Sequence, residues 1–242
     1  MTEFSVLMNG INEKTARCNT MMLSLHDTVV DLLNKVPGWL DWWVEKVQAL
    51  LAEIKRIWTD AWDQIKEVYS DPGNPMRLAE AADVMTDKVQ SVVSAQAAKI
   101  SHEFMHVDDR WRGPASEKYK GVIHSEALQP KAVRQYSTTA SNVSGALNEC
   151  RWAIVGFWLT YAGALALLLW SLVKGIRSCA TIAGVLPGLL TIMTGFATFS
   201  GTVSVAAVGA QHFLSQAANT FKREANGNDY LPGGHWPPVG AW

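Results

Sequence analysis

Apolar residues recur at spacings of three and four through the part of the chain that precedes Arg151, which predicts helices with one buried stripe each. Phe4, Leu7, Met8, Ile11, Cys18, Met21, Met22, Leu25, Val29, Leu32, Leu33 and Val36 trace the first helix, and Pro37-Gly38 ends it. The second is the clearest: Leu40, Trp43, Val44, Val47, Leu50, Leu51, Ile54, Ile57, Trp58, Ala61, Trp62, Ile65 and Val68 share a face. Its opposite face is charged from Asp41 to Glu67, so the stripe needs a partner to cover it. The run Asp71-Pro72-Gly73-Asn74-Pro75 predicts a loop. A third helix is expected from about Met76 to Asp108, with Leu78, Ala82, Met85, Val89, Val92, Val93, Ile100, Phe104 and Val107 inward. After a turn from Arg110 to Pro114, a fourth is expected from Ala115 towards Cys150, with Pro130 kinking or interrupting it. Short links between long amphipathic helices imply antiparallel neighbours, and no strand-like alternation is found.

The pattern then changes. Trp152 to Val173 holds no charged residue, and as a helix it would measure roughly 33 Å, the thickness of a bilayer's hydrocarbon core. Arg151 and Lys174 bracket it, with Trp152 and Trp170 near its edges, as interfacial anchors are placed. Between Ser178 and Phe221 charge is again absent, and Cys179 to Phe199 is expected to cross back, with Pro187 as a kink. Gly184, Gly188 and Gly195, in a stretch rich in small residues, allow close helix approach. Lys174 and Arg177 at one end are matched by Arg151, Lys222 and Arg223 at the other, so loop charge does not set an orientation. The expected fold is all-α: amphipathic hairpins forming a bundle, then an apolar membrane-spanning hairpin. Four stretches follow: a hairpin over 1–70, a second over 76–150, apolar helices over 151–221 and a flexible Gly/Pro-rich tail over 222–242.

Composition narrows the function classes. A net charge of −1 offers no basic surface for nucleic acid, which is not an expected partner. The 11 tryptophans suit sites with one apolar and one wet edge. Cys18, Cys150 and Cys179 are scattered, without metal-ligand spacing or the look of a disulfide framework. The start, Met1-Thr2-Glu3-Phe4, lacks the basic and apolar regions of a cleavable signal, so export would use another route.

Between the third and fourth helices stands Trp111-Arg112-Gly113-Pro114-Ala115, followed by Tyr119. Glycine permits the backbone reversal, Trp can cover the open end of a hairpin, and Pro suits a helix's first turn. This motif in its helical setting resembles the WXG (ESAT-like) family of type VII secretion substrates, over about residues 76–150. The resemblance implies a helical hairpin with Trp111, Gly113, Pro114, Ala115 and Tyr119 at its turn, and a helical-hairpin partner. One departure stands out. The family's Tyr-x-x-x-Asp/Glu export signal is missing, since Gly73, Ile123, Ala140, Leu165 and Gly234 stand four residues after the tyrosines.

A rival motif is His102-Glu103-Phe104-Met105-His106, the H-E-x-x-H of zinc peptidases, with Glu126 near a third-ligand spacing. On a helix burying Ile100 and Phe104, His102 and His106 lie about 200° round and face outward, where no second shell would support a metal. The motif therefore reads as solvated surface residues, and no cofactor is expected.

These observations predict a non-enzymatic membrane-inserting protein associated with type VII secretion, an effector forming pores through its small residues. Its expected partners are the lipid bilayer and a helical hairpin or further copies of itself. Its expected location is the membrane or cell envelope, or outside the cell. The alternatives are a membrane-anchored scaffold binding a partner hairpin and a membrane-tethered zinc metallopeptidase.

Overall fold

A computed structural model describes residues 3–70, 72–100, 111–123, 128–227 and 230. Among them the protein is all-α, without a strand. Two compact units are present: residues 1–73 with 153–211, and residues 74–152 with 212–242.

In the first unit, α1 (Glu3–Leu33) buries Ile11, Cys18, Leu25 and Val29 of the stripe its spacing predicts, together with Thr15, which the spacing of apolar residues does not pick out. The helix ends where the amides of Asn34, Lys35 and Val36 bond back to Val30, Leu32 and Leu33, and Pro37 cannot continue the ladder. A 3-10 turn (Gly38–Leu40) leads into α2 (Asp41–Ser70). There Trp43, Val47, Ile54 and Ala61 face inward. Its outer face carries ion pairs from Arg56 to Glu53 at 2.6 Å and to Asp60 at 3.0 Å. Being exposed and screened by solvent, they serve solubility more than stability.

The stripes of α1 and α2 are covered by the apolar helices. One long helix, Leu128–Ser178, runs without a break through Arg151 and the whole uncharged stretch. The last, Ile182–Ala225, contains Pro187 and is also continuous. Numbered in chain order with the helices of the second unit, these are α6 and α7. Trp158, Leu165, Leu168 and Leu172 of α6 join Val185, Leu189, Ile192 and Phe196 of α7 in one core with Ile11, Cys18, Leu25, Val29, Val47 and Ile54. Each fully buried side chain of this kind contributes roughly 1.5–3 kcal/mol before conformational entropy is charged against it. Cys179, expected at the start of the returning span, lies in the turn instead. The Thr181 hydroxyl accepts the Gly184 amide at 3.2 Å and caps α7, which starts at the next residue.

The second unit has a different character. Asn74 caps α3 (Pro75–Val84), its side chain accepting the Arg77 amide at 3.0 Å, with Pro75 in the first helical position. A π-helical turn (Met85–Gln90) joins α3 to α4 (Ser91–Lys99). The third helix, expected to reach Asp108, ends at Lys99, and Ile100 leaves helical backbone at φ −85°, ψ 75°. Residues 101–110 lie outside the described part. The expected inward Val92 is exposed, while Ala82 and Ala97 are buried. The fourth helix is two: α5 (Pro114–Ile123) and the start of α6 at Leu128, with Pro130 in that helix's first turn, where proline is tolerated.

Packing here relies on small and hydroxyl residues. Ser144 donates to the Ala82 carbonyl at 2.9 Å and meets the Thr86 hydroxyl at 2.9 Å. Ser94 and Ser137 hydroxyls are 2.6 Å apart. Among the described residues its apolar cluster comprises Ala146, Cys150 and Ala217, flanked by Leu78 and Phe221.

Candidate membrane-facing surface

In the first unit the apolar helices are covered on one face and open on the other. Only 33% of the most apolar window of each is buried, which sets them apart from wrapped core helices. On α6, Leu159 and Leu167 are 56% and 58% exposed, and Thr160, Gly163 and Ala166 lie on the same outward side. On α7, Leu190 and Val205 are 53% and 75% exposed, in company with Ala197, Gly201 and Val208. From Ala153 to Gln211 the only ionised side chains are Lys174 and Arg177. Both helices are long and apolar enough to cross a membrane. A helix facing water is expected to be polar on its open side, and these are not.

Four threonine hydroxyls on this surface are already satisfied. Thr160, Thr191, Thr194 and Thr198 each donate to a carbonyl one turn earlier, at 2.8–2.9 Å. Such back-bonding lets threonine sit in a medium that offers no partner. A groove of about 330 Å³ between the helices is lined by Leu167, Trp170, Ser171, Thr191, Thr194 and Thr198, without a charged group.

Both expected anchor pairs are in contact. The Arg151 guanidinium lies 5.0 Å from the Trp152 ring, and the Lys174 ammonium 4.3 Å from the Trp170 ring. Both tryptophans are exposed. Such cation–π pairs place a charged head beside a ring that favours the headgroup level.

Glycines determine how closely α6 and α7 approach. A Cβ at Gly188 would lie 2.5 Å from the Gly175 carbonyl, and one at Gly195 would strike Ser171. Gly184 instead faces the turn, against the Ser178 carbonyl. Gly175 and Ser171, the facing half of this contact, escaped sequence analysis, although Ser171-x-x-x-Gly175 is itself a small-residue pair at helical spacing.

The Trp-x-Gly turn is well formed within the second unit. Gly113 has φ +113°, a conformation other residues resist. Pro114 begins α5, and the Ser116 hydroxyl donates to the Trp111 carbonyl at 2.7 Å. The Trp111 and Tyr119 rings lie 5.4 Å apart, so the aromatic that follows the motif packs on its tryptophan. Trp111 and Ala115 are exposed.

His102, Glu103, His106 and Glu126 lie outside the described residues. Among the described residues no group of three or more His, Cys, Asp or Glu side chains could hold a metal. Burial pushes the Cys18 thiol up to about 12, against the pull of the Arg17 charge. Burial and the neighbouring Glu149 raise Cys150 as well.

Comparison with family models, curated proteins and solved structures finds no match.

Proposed function

We propose that this chain is a membrane-inserting protein associated with type VII secretion, whose apolar hairpin enters a bilayer and assembles into a pore. One observation carries the membrane part: the open faces of α6 and α7 hold no charge over a length matched to a bilayer. Water is a poor solvent for that surface and hydrocarbon a good one. The anchor pairs at Trp152 and Trp170 bracket the same length. The secretion part rests on the Trp111-x-Gly113 turn, supported by the positive φ of Gly113 and by the Trp111–Tyr119 contact. Pore assembly rests on the uncharged groove between the two helices.

Flotation with phospholipid vesicles, followed by a carbonate wash, tests insertion; release of an entrapped dye tests the pore. Inserted protein stays with the vesicles through the wash. A chain that remains in the aqueous fraction overturns the membrane reading, and one that inserts without leakage overturns the pore. The anchored-scaffold reading draws on Trp39 in the 3-10 turn and Trp42 in the first turn of α2, both strongly exposed. It predicts co-purification with a helical partner and no conductance.

A further inference from the structure

We infer that α1 and α2 form a removable water-soluble cover on the apolar hairpin, and that insertion requires them to leave it as a pair. The inference rests on the membrane reading above and adds the conformational step that reading needs.

The described arrangement cannot itself span a bilayer. Trp58 of α2 packs edge-on to Phe196 of α7, with ring centroids 5.8 Å apart, so α2 lies alongside the stretch that would be in hydrocarbon. The outer face of α2 at that level carries Lys55, Arg56 and Asp60. Ionised groups are not accommodated at that depth facing lipid. Either α2 departs or the hairpin does not cross.

The covered and open faces of the hairpin are alike in carrying no charge. Under the cover lie Trp158, Leu165, Leu168, Leu189, Ile192 and Phe196, more apolar than the side already open, where threonines and small residues are interspersed. Removing the cover leaves α6 without a charged residue on any side from Trp152 to Val173, and α7 likewise from Ile182 to Phe221, which is the pattern of spanning helices and not of surface ones. The pair also holds together without the cover. Gly175 against Gly188 and Ser171 against Gly195 belong to α6 and α7 alone. The cover's own apolar stripe would then meet the lipid interface or a second copy.

A place to bend exists at the base of the cover. Pro72, Gly73 and Asn74 are non-helical, and Gly73 has φ +73°. This segment is pinned to the hairpin by the Trp158 indole N–H, which donates to the Pro72 carbonyl at 2.9 Å, and by Ile154 packed on Gly73.

A reversible lock tests the step in the full chain. Trp58→Cys and Phe196→Cys, with the native cysteines changed to alanine, are joined in urea, where both thiols are accessible, by a bis-maleimide whose spacer contains a disulfide, and the chain is then refolded. Vesicles of mixed phosphatidylcholine and phosphatidylglycerol are the probe. The locked chain is expected to resist carbonate-stable insertion by at least about tenfold, with reduction restoring it. A second pair avoids the core: spin labels at Lys55→Cys and Leu190→Cys, both on outward positions. Their separation is expected to lengthen on insertion. A locked chain that inserts as well as the reduced one, or a label distance that does not change, means the unit stays closed on the membrane and overturns the cover while leaving the membrane reading intact. An unlocked chain that never partitions overturns both.

Discussion

The indole N–H of Trp158 donates to the carbonyl of Pro72 at 2.9 Å, across 86 positions of sequence. Trp158 is almost fully buried, and the bond ties the end of the α1–α2 hairpin to the apolar helix. Trp158→Phe keeps the aromatic packing with Phe157 and Tyr161 and removes the donor. The orphaned carbonyl is expected to cost about 1–3 kcal/mol in urea unfolding. If the tie also holds the cover shut, the variant inserts into vesicles more readily than the parent. A loss of stability without that gain confines Trp158 to the core.

Gly195 and Gly201 lie on the same helix and have opposite surroundings. A Cβ at Gly195 would strike the Ser171 side chain, whereas one at Gly201 meets nothing within 4 Å. Gly195→Val is expected to destabilise the fold by about 1–3 kcal/mol through overpacking. Gly201→Ala is expected to stabilise it by about 0.5–1 kcal/mol, because alanine gives up less freedom in a helix. Thermal unfolding of the two variants side by side checks both signs.

How much of this was legible in the sequence depends on how strongly each pattern was written. In α1 and α2 the stripes named from spacing alone are the buried ones, because large apolar residues at helical period leave a single face to cover. In the second unit the same rule failed at Val92. There alanines and serines bring the helices close, and hydroxyl contacts such as Ser94–Ser137 and Ser144–Ala82 replace apolar area. Small residues carry almost no hydropathy signal, so periodicity cannot find such a face. The membrane-facing surface was legible as a charge-free length. Which side of it α1 and α2 would cover was not, since covered and open faces are both uncharged and both include large apolar residues.

Gly113 supplies a prediction that isolates backbone conformation from packing. Its φ is +113° and nothing lies within 4 Å of a Cβ placed there, so Gly113→Ala meets strain and no clash. The strain is expected to cost about 1–2 kcal/mol. Gly201→Ala, equally free of contacts but helical, is the control with the opposite sign. Equal effects at the two sites would mean that the Trp-x-Gly turn does not need its glycine.

Acid sensitivity of the second unit should follow Glu224. Burial pushes its carboxyl up, but hydrogen bonds from Asn142 at 2.8 Å, Thr139 at 2.9 Å and the neighbouring Arg223 outweigh that and hold it below its ordinary value. A carboxyl lowered in the folded state contributes stability above its unfolded value, and that contribution is lost as pH falls through the folded one. Unfolding free energy is therefore expected to decline as pH drops below about 4.5, and Glu224→Gln to flatten that decline while lowering stability at neutral pH. A parent and variant with parallel pH profiles would remove Glu224 from the account.

Leu159 separates the demands of water from those of lipid. It is 56% exposed on the open face of α6, so Leu159→Glu leaves the core untouched and is expected to change folding stability by no more than about 0.5 kcal/mol. In a bilayer the same position falls within the uncharged stretch, where a central acidic side chain such as Asp costs about 2.5–3.5 kcal/mol on insertion scales. Carbonate-stable insertion should therefore fall on the order of 100-fold, with circular dichroism and urea unfolding unchanged. Lys55→Glu, outward on α2, is the matched control and should insert like the parent. If Leu159→Glu enters vesicles as readily as the control, the open face of α6 does not meet hydrocarbon. Its apolar surface would then be waiting for protein.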